Sequence, residues 1–365
     1  MARDLDDLGD LLSLTLADLP KQYFEVAWTN QDYEATRIYN RENMRIDGGK
    51  SIDRRIMLST TGNARYRRYY DTDDPTVGDN MHEISVKWCR FSTSYSWDDL
   101  ELLHQMNSTK GFIRLIKERR MDGLWDLADL LEERLWKEPT SATDYLYPYG
   151  IPYYLNHITS GSTTGGFVGQ TIAYQNGTTG TTCAGIDASA QSLWRNYAYE
   201  YTNIDNTLLK NLRLGFKKIS FKAPMNVTDP SNKRNAQKRM YTDYDNWAEF
   251  MDIADAKDDN HRGKDVMGNL KVSDGGDVYV NRVPVIPIPQ LESYAHPYSG
   301  TATSPIYYVD FRYLIPVVHE GYWMEETKPI TSRGQHTTFT TYLDGAHQNL
   351  STNRRQLGFV FHKTH

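Results

Sequence analysis

Glu325 and Glu326 stand beside Trp323, a grouping that could do hydrolytic chemistry on a sugar. Two carboxyls would serve as acid and base, and an indole would stack on the ring. That work needs two carboxyls at a defined separation in a cleft, which a sequence does not show. The plainer reading is a strand edge on a tyrosine-rich surface. Other chemistry is harder to find. The ten His form no H-E-x-x-H, and Asp255, Asp258, Asp259 and Asp265 lack the spacing of a calcium loop. Gly161-Ser162-Thr163-Thr164-Gly165-Gly166 lacks the spacing of a nucleophile elbow. No glycine run leads to a phosphate-binding lysine, and no G-x-G-x-x-G follows a strand. We expect no catalytic residue, no metal ligand and no cofactor. The remaining candidate is a basic run. Between 210 and 240, nine Lys and Arg face only Asp229, with Phe216 and Phe221 interleaved. Lys217, Lys218, Lys233, Arg234, Lys238 and Arg239 are the residues that could meet DNA phosphate, an acidic surface of a sister chain, or only water.

The whole composition limits these readings. A chain of 365 residues is long enough for two or three domains. Hydrophobic residues make up 39%, and 26 Tyr, 11 Phe and 8 Trp supply the bulk of a core. A formal net charge of −6 argues against a protein whose main work is gripping DNA. Two cysteines, Cys89 and Cys183, exclude a disulfide scaffold and suit a reducing compartment. The acidic start MARDLDDLGD does not read as a signal peptide, and no apolar run is long enough for a membrane helix.

The elements that position these residues are unusual. Leu5, Leu8, Leu12 and Leu19 recur near helical spacing among Asp4, Asp6, Asp7 and Asp10, and Pro20 follows. This predicts a short acidic amphipathic helix over 4–19 that must dock on its own domain or on another chain. Residues 41–95 read as an extended antiparallel hairpin system with little core of its own. SIDRRIML leads out, Thr61-Gly62-Asn63 turns, ARYRRYY returns and HEISVKWCRFSTSY alternates again. From 41 to 71, eight basic residues oppose four acidic ones; Arg54, Arg55, Arg65, Arg67 and Arg68 are candidate contacts to another subunit, together with Leu5, Leu8 and Leu12. Ser96 reads as the cap of a long helix over about 97–138, ended by Pro139, with Gly111 and Gly123 as weak points. At 1.5 Å per residue it would reach roughly 60 Å, a strut more than a core helix. Beyond it, residues 159–185 hold seven Gly and eight Thr and read as a polar ribbon. Helices are expected within 187–216 and over 245–256, and buried strands over 278–291 and 304–318, with further strands to the C-terminus. The fold class is α+β.

That order of parts resembles the major capsid proteins of tailed bacteriophages, with their Hong Kong 97-type fold. VKWCRFSTSYSWDDLELL and LADLLEERLWKEPTS resemble the entry and exit of the family's spine helix; GIDASAQSLWRN, SPIYYVDFRYLIPVV and LSTNRRQLGFVFHK resemble further segments of podovirus-like subunits. The resemblance implies an N-terminal arm over 1–40, an extended hairpin loop over 41–92 and a spine helix with the start of a peripheral domain over 93–149. An axial domain would cover 150–315, and peripheral strands 316–365.

It also implies a structural protein that self-assembles as pentamers and hexamers into an icosahedral head around double-stranded DNA, in the virion, after assembly in a bacterial cytoplasm. Its partners would be itself, a scaffolding protein, a portal protein, an auxiliary cement protein and, weakly, the packaged DNA; no membrane is involved. Little chain precedes the hairpin, so the scaffold is expected as a separate protein. Some members join a hairpin lysine to a peripheral asparagine. Lys50, Asn349 and Asn353 stand in comparable places, but no catalytic glutamate is apparent after Asn349, and no crosslink is expected. The alternatives are a carbohydrate-active hydrolase and a virion tail or adaptor protein.

Overall fold

The computed structural model describes residues 33–41, 43–72, 76–98, 109–159, 164–221, 225–226, 237–258, 270–272, 278–292, 303–332 and 334–364, with four single positions between 294 and 300. The expected helix over 4–19, with Leu5, Leu8 and Leu12, lies outside the described residues.

A short helix, α1 (Glu34–Arg41), leads to β1 (Met44–Ile46). The hairpin follows as β2 (Ser51–Met57) and β3 (Met81–Lys87), paired from Ser51↔Lys87 to Met57↔Met81. The return strand is therefore MHEISVK, and ARYRRYY lies in the connecting loop. β4 (Cys89–Asp98) buries Cys89, Phe91, Tyr95 and Trp97 by strict alternation. It runs through Ser96, which is no helix cap: Ser96 pairs with Thr340 and Asp98 with Thr338. Alternating aromatics with a partner strand outweigh the capping signal there. The spine helix is described as α2 (Thr109–Leu135), a single helix of 27 residues running through both glycines. It ends before Trp136, whose ring packs against Tyr241 and Tyr307. A Cβ on Gly123 would lie 3.5 Å from the Tyr95 ring, so the missing side chain lets α2 lie close on β4.

From 140 on, strands dominate: β5 (Gly165–Val168), β6 (Asn196–Tyr201), β7 (Met225–Asn226), β8 (Lys238–Thr242), β9 (Leu270–Val272), β10 (Val278–Val280), β11 (Val283–Pro287), β12 (Ile306–Asp310) and β13 (Leu314–His319). Within 187–216 the helix is only the last part. NYAYEY is strand β6, and α3 (Asn206–Lys218) starts at Asp205, whose carboxylate accepts from Leu208 N at 2.8 Å. α4 (Tyr244–Asp258) matches the expected second helix. β14 (Glu325–Glu326), β15 (Ile330–Ser332), the 17-residue β16 (Gln335–Ser351) and β17 (Gly358–Lys363) close the chain.

The chain divides into two compact units. The first takes its described residues from 33–48, 88–135 and 316–348. Its sheet is built on β16, which pairs with β4, β13, β14 and β15, while β1 runs parallel to β13. α2 buries Ile116, Leu124, Leu127, Ala128, Leu131 and Leu135, the stripe expected of an amphipathic helix. The second unit takes residues 49–87, 136–315 and 349–365. Its main sheet has the order β9-β10-β11-β8-β12-β17-β6-β5, with β6–β17 and β8–β11 parallel. Residues 316–365, expected together, thus part at Gln348: β17 is an interior strand of the second unit's sheet. α3 covers that sheet through Leu208, Leu209 and Leu212, and Gly215 brings it against Phe359 and Tyr197.

Candidate assembly surfaces

The hairpin is less dependent on a neighbour than its composition suggests. Ile52, Ile56, Ile84 and Val86 form one buried face inside the second unit. Ser85 N donates to Ala184 O at 3.0 Å, and Gly185 leaves room for that approach. Strand alternation puts Arg54 on the same face as Ile52 and Ile56; it is half-buried, its Nε without a partner among the described residues and its Nη1 donating to Asp53 O at 3.2 Å. Arg55 lies on the outer face and is exposed. The described parts of the loop after β2 are another matter. Arg65, Arg67 and Arg68 are exposed, and Tyr66, Tyr69 and Tyr70 expose 106, 97 and 105% of their reference surface. Arg65 donates to Thr72 O at 2.5 Å, and Asn63 ties the loop's base to Thr76. Three bare phenols stand beside three exposed guanidiniums, the residue types that favour contact with acidic or aromatic surfaces.

In the first unit, the second half of α2 offers the opposite character. Asp122, Asp126 and Asp129 are exposed, as are Trp125 and Leu130 next to them. Trp125 Nε1 donates to the Tyr33 hydroxyl at 2.9 Å, and that hydroxyl donates to Asp129. Burial and the bond to Asp129 push the Tyr33 phenol up to about 12. Ala35 N donates to the buried Glu132 carboxylate at 2.6 Å, so the chain entering from the N-terminus is fixed to the spine. Sequence reading missed this face because it tracked the buried leucines, not the residues between them.

The basic run of 210–240 comes apart in the fold. Lys217 and Lys218 end α3 and are exposed. Lys238 is exposed but stands 3.8 Å from the Asp310 carboxylate. Arg239, one residue further along β8, turns inward: it is 1% exposed, donates to Gln237 Oε1 at 2.8 Å and lies over the Phe311 ring. Alternation along a strand forbids both neighbours from facing one surface, so Arg239 is withdrawn as a DNA-facing residue. Lys233 and Arg234 lie outside the described residues. Lys217 and Lys218 border a groove of about 380 Å³. Arg355 also lines it, its guanidinium 3.7 Å over the Phe167 ring. Arg355 was not anticipated; the signal was two adjacent arginines in the otherwise apolar context of LGFVF.

The hydrolytic grouping is occupied otherwise. Glu326 Oε1 accepts from Arg120 Nε at 2.6 Å, and Trp323 packs with Tyr39, Phe91 and His347. Glu325 is exposed on the two-residue β14, opposite Asp344. Among the described residues, no three His, Cys, Asp or Glu gather as a metal site. Asn349 and Asn353 are 1 and 2% exposed, their amides donating to Tyr149 O and Gln356 Oε1.

No family model and no curated protein sequence matches the chain. Solved structures do. It is similar to the cyanophage A-1(L) capsid at 12% identity and a TM-score of 0.58, over 89% of this chain and 92% of the other. Mycobacterium phage Bobi (8% identity, TM-score 0.49, 89% and 90%) and the capsid of a native GTA particle (7%, 0.48, 89% and 88%) are also similar. The fold assignment rests on the first of these. The chain has a phage capsid fold. It is the α+β architecture of the Hong Kong 97 type, with a long spine helix, an extended hairpin and a sheet-based second unit.

Proposed function

We propose that this chain is the major capsid protein of a bacteriophage, a non-enzymatic subunit that assembles as pentamers and hexamers into an icosahedral head around double-stranded DNA. The observation that carries the reading is the hairpin loop of Arg65–Tyr70, whose three tyrosines are almost wholly bare beside exposed arginines, on a subunit with a capsid fold. Side chains of that kind are the usual anchors of protein interfaces. The loop of one copy lies across the acidic, Trp125-bearing face of α2 in the next. Each rim ion pair would contribute only about 0–1 kcal/mol, and a shell repeats them over every subunit. A scaffolding protein directs assembly, a portal fills one vertex, and a cement protein is a further partner. Assembly takes place in the host cytoplasm and the product is the virion capsid. The net charge of −6 keeps DNA contact weak and non-specific.

The test is electron microscopy of the purified protein, alone and with its scaffolding protein, after size separation. Closed shells or curved sheets are expected. A monodisperse monomer under both conditions, or rings and tubes, would overturn the reading.

A further inference from the structure

The groove beside Lys217 combines apolar surface with cations. Leu214, Lys217 and Lys218, at spacings of three and four, share one face at the end of α3, and Phe221 joins the same groove from the turn that follows. Leu214 is 43% and Phe221 66% exposed, large apolar surface on a rim that also carries cations. The opposite wall is Phe167 with Arg355 stacked on it. Arg355 is 8% exposed and its Nε has no partner among the described residues. A buried guanidinium donor left unpaired is costly unless an acceptor arrives. The matching ligand is therefore amphipathic and acidic, with apolar side chains for Leu214, Phe167 and Phe221 and carboxylates for the three cations. Duplex DNA offers the charge but no apolar face.

The chain itself carries such a ligand. Residues 4–19 combine Leu5, Leu8 and Leu12 with Asp4, Asp6, Asp7 and Asp10. We propose that the α3 groove binds residues 4–19 of a second copy. This rests on the self-assembly reading, because assembly is what brings one copy's N-terminal segment to another copy's groove. Helix-in-groove docking with complementary charge is an established mode of peptide recognition.

Two full-length variants test it, Leu8→Cys and Leu214→Cys, mixed under mild oxidation and read on a non-reducing gel with mapping of the linked peptides. The native Cys89 and Cys183 are buried and stay out of the reaction. Leu146→Cys, equally solvent-facing at 65% exposure but outside the groove, is the control. The Leu8–Leu214 mixture should link about tenfold faster than Leu8 with Leu146. Lys217→Glu with Lys218→Glu should slow it about tenfold, and Asp6→Lys with Asp7→Lys in the partner should restore it. Equal rates for the two mixtures, insensitivity to the charge reversals, or linkage only when both cysteines sit on one chain would each overturn the proposal. So would charge reversals that abolish duplex-DNA capture and leave linkage unchanged. Closed shells by microscopy without groove linkage overturn the groove alone, whereas linkage between soluble copies without shells overturns only the shell reading.

Discussion

Arg354 is fully buried, yet its guanidinium has a use for each direction it faces. It donates to Tyr154 O at 2.7 Å, Gly169 O at 2.8 Å, Trp194 O at 3.1 Å and Asn196 Oδ1 at 3.2 Å, and so ties three other segments of the second unit to its own. Arg354→Met would leave those oxygens without their donor, at a cost of roughly 3–5 kcal/mol. A urea midpoint unchanged by this substitution would contradict the role. His347 in the first unit poses the opposite problem. Both ring nitrogens are buried without partners among the described residues, inside a cage of Tyr39, Phe91 and Trp323. Burial pushes its pKa down to about 3, from 6.5 when unfolded. The unfolded chain therefore takes up the proton first. Stability held above about pH 6.5 falls as pH drops toward 3, with a slope approaching about 1.4 kcal/mol per pH unit. His347→Leu should flatten that acid limb in unfolding curves of the unassembled subunit, and an unaltered slope would assign the acid sensitivity elsewhere.

At the scale of elements, the hairpin has two parts with different tasks. Its strands are anchored by four buried aliphatics and a bond to Ala184, while its loop is bare. Reversing Arg55, Arg67 and Arg68 to Glu should therefore stop particle formation yet shift the unfolding midpoint of the subunit by less than about 0.5 kcal/mol, as exposed surface substitutions do. Normal particles from the triple variant would remove the loop from the interface. Arg54 is left out because its inward face would turn the same experiment into a folding test. The spine helix shows a related division. One stripe of leucines and Ile116 holds α2 to its sheet, while the acidic stripe with Trp125 stays exposed and is the face proposed to meet a neighbour.

For the molecule as a whole, the proposed assembly is expected to hold by non-covalent contacts. The Asn349 and Asn353 amides are inside the second unit and engaged, so neither is offered to a lysine of another chain. Boiled particles should run on a denaturing gel as single chains of 365 residues. A ladder of multiples would show an isopeptide that burial forbids. In the proposed shell, stability would come from many weak repeated interfaces, and it should fall steeply with salt wherever the arginine loop and the acidic spine face dominate.

The class of the fold, the place of the hairpin, the spine leucines from Ile116 to Leu135, α4 and the C-terminal strands were all legible in the sequence. Each is written in local periodicity, which depends only on the 3.6- and 2-residue repeats of helix and strand. The resemblance to phage capsid proteins was legible for the same reason, as an order of local patterns. What the tertiary structure alone decided is which face each charge takes. Ser96 became strand because β16 pairs with it, and NYAYEY became strand β6 between β5 and β17. Arg54 and Arg239 turned inward while Arg55 and Lys238 stayed out, and Arg355 joined Lys217 and Lys218 from more than a hundred residues away. A basic run states a charge; the pairing of distant strands sets its direction, because one residue of register moves a side chain from solvent to core.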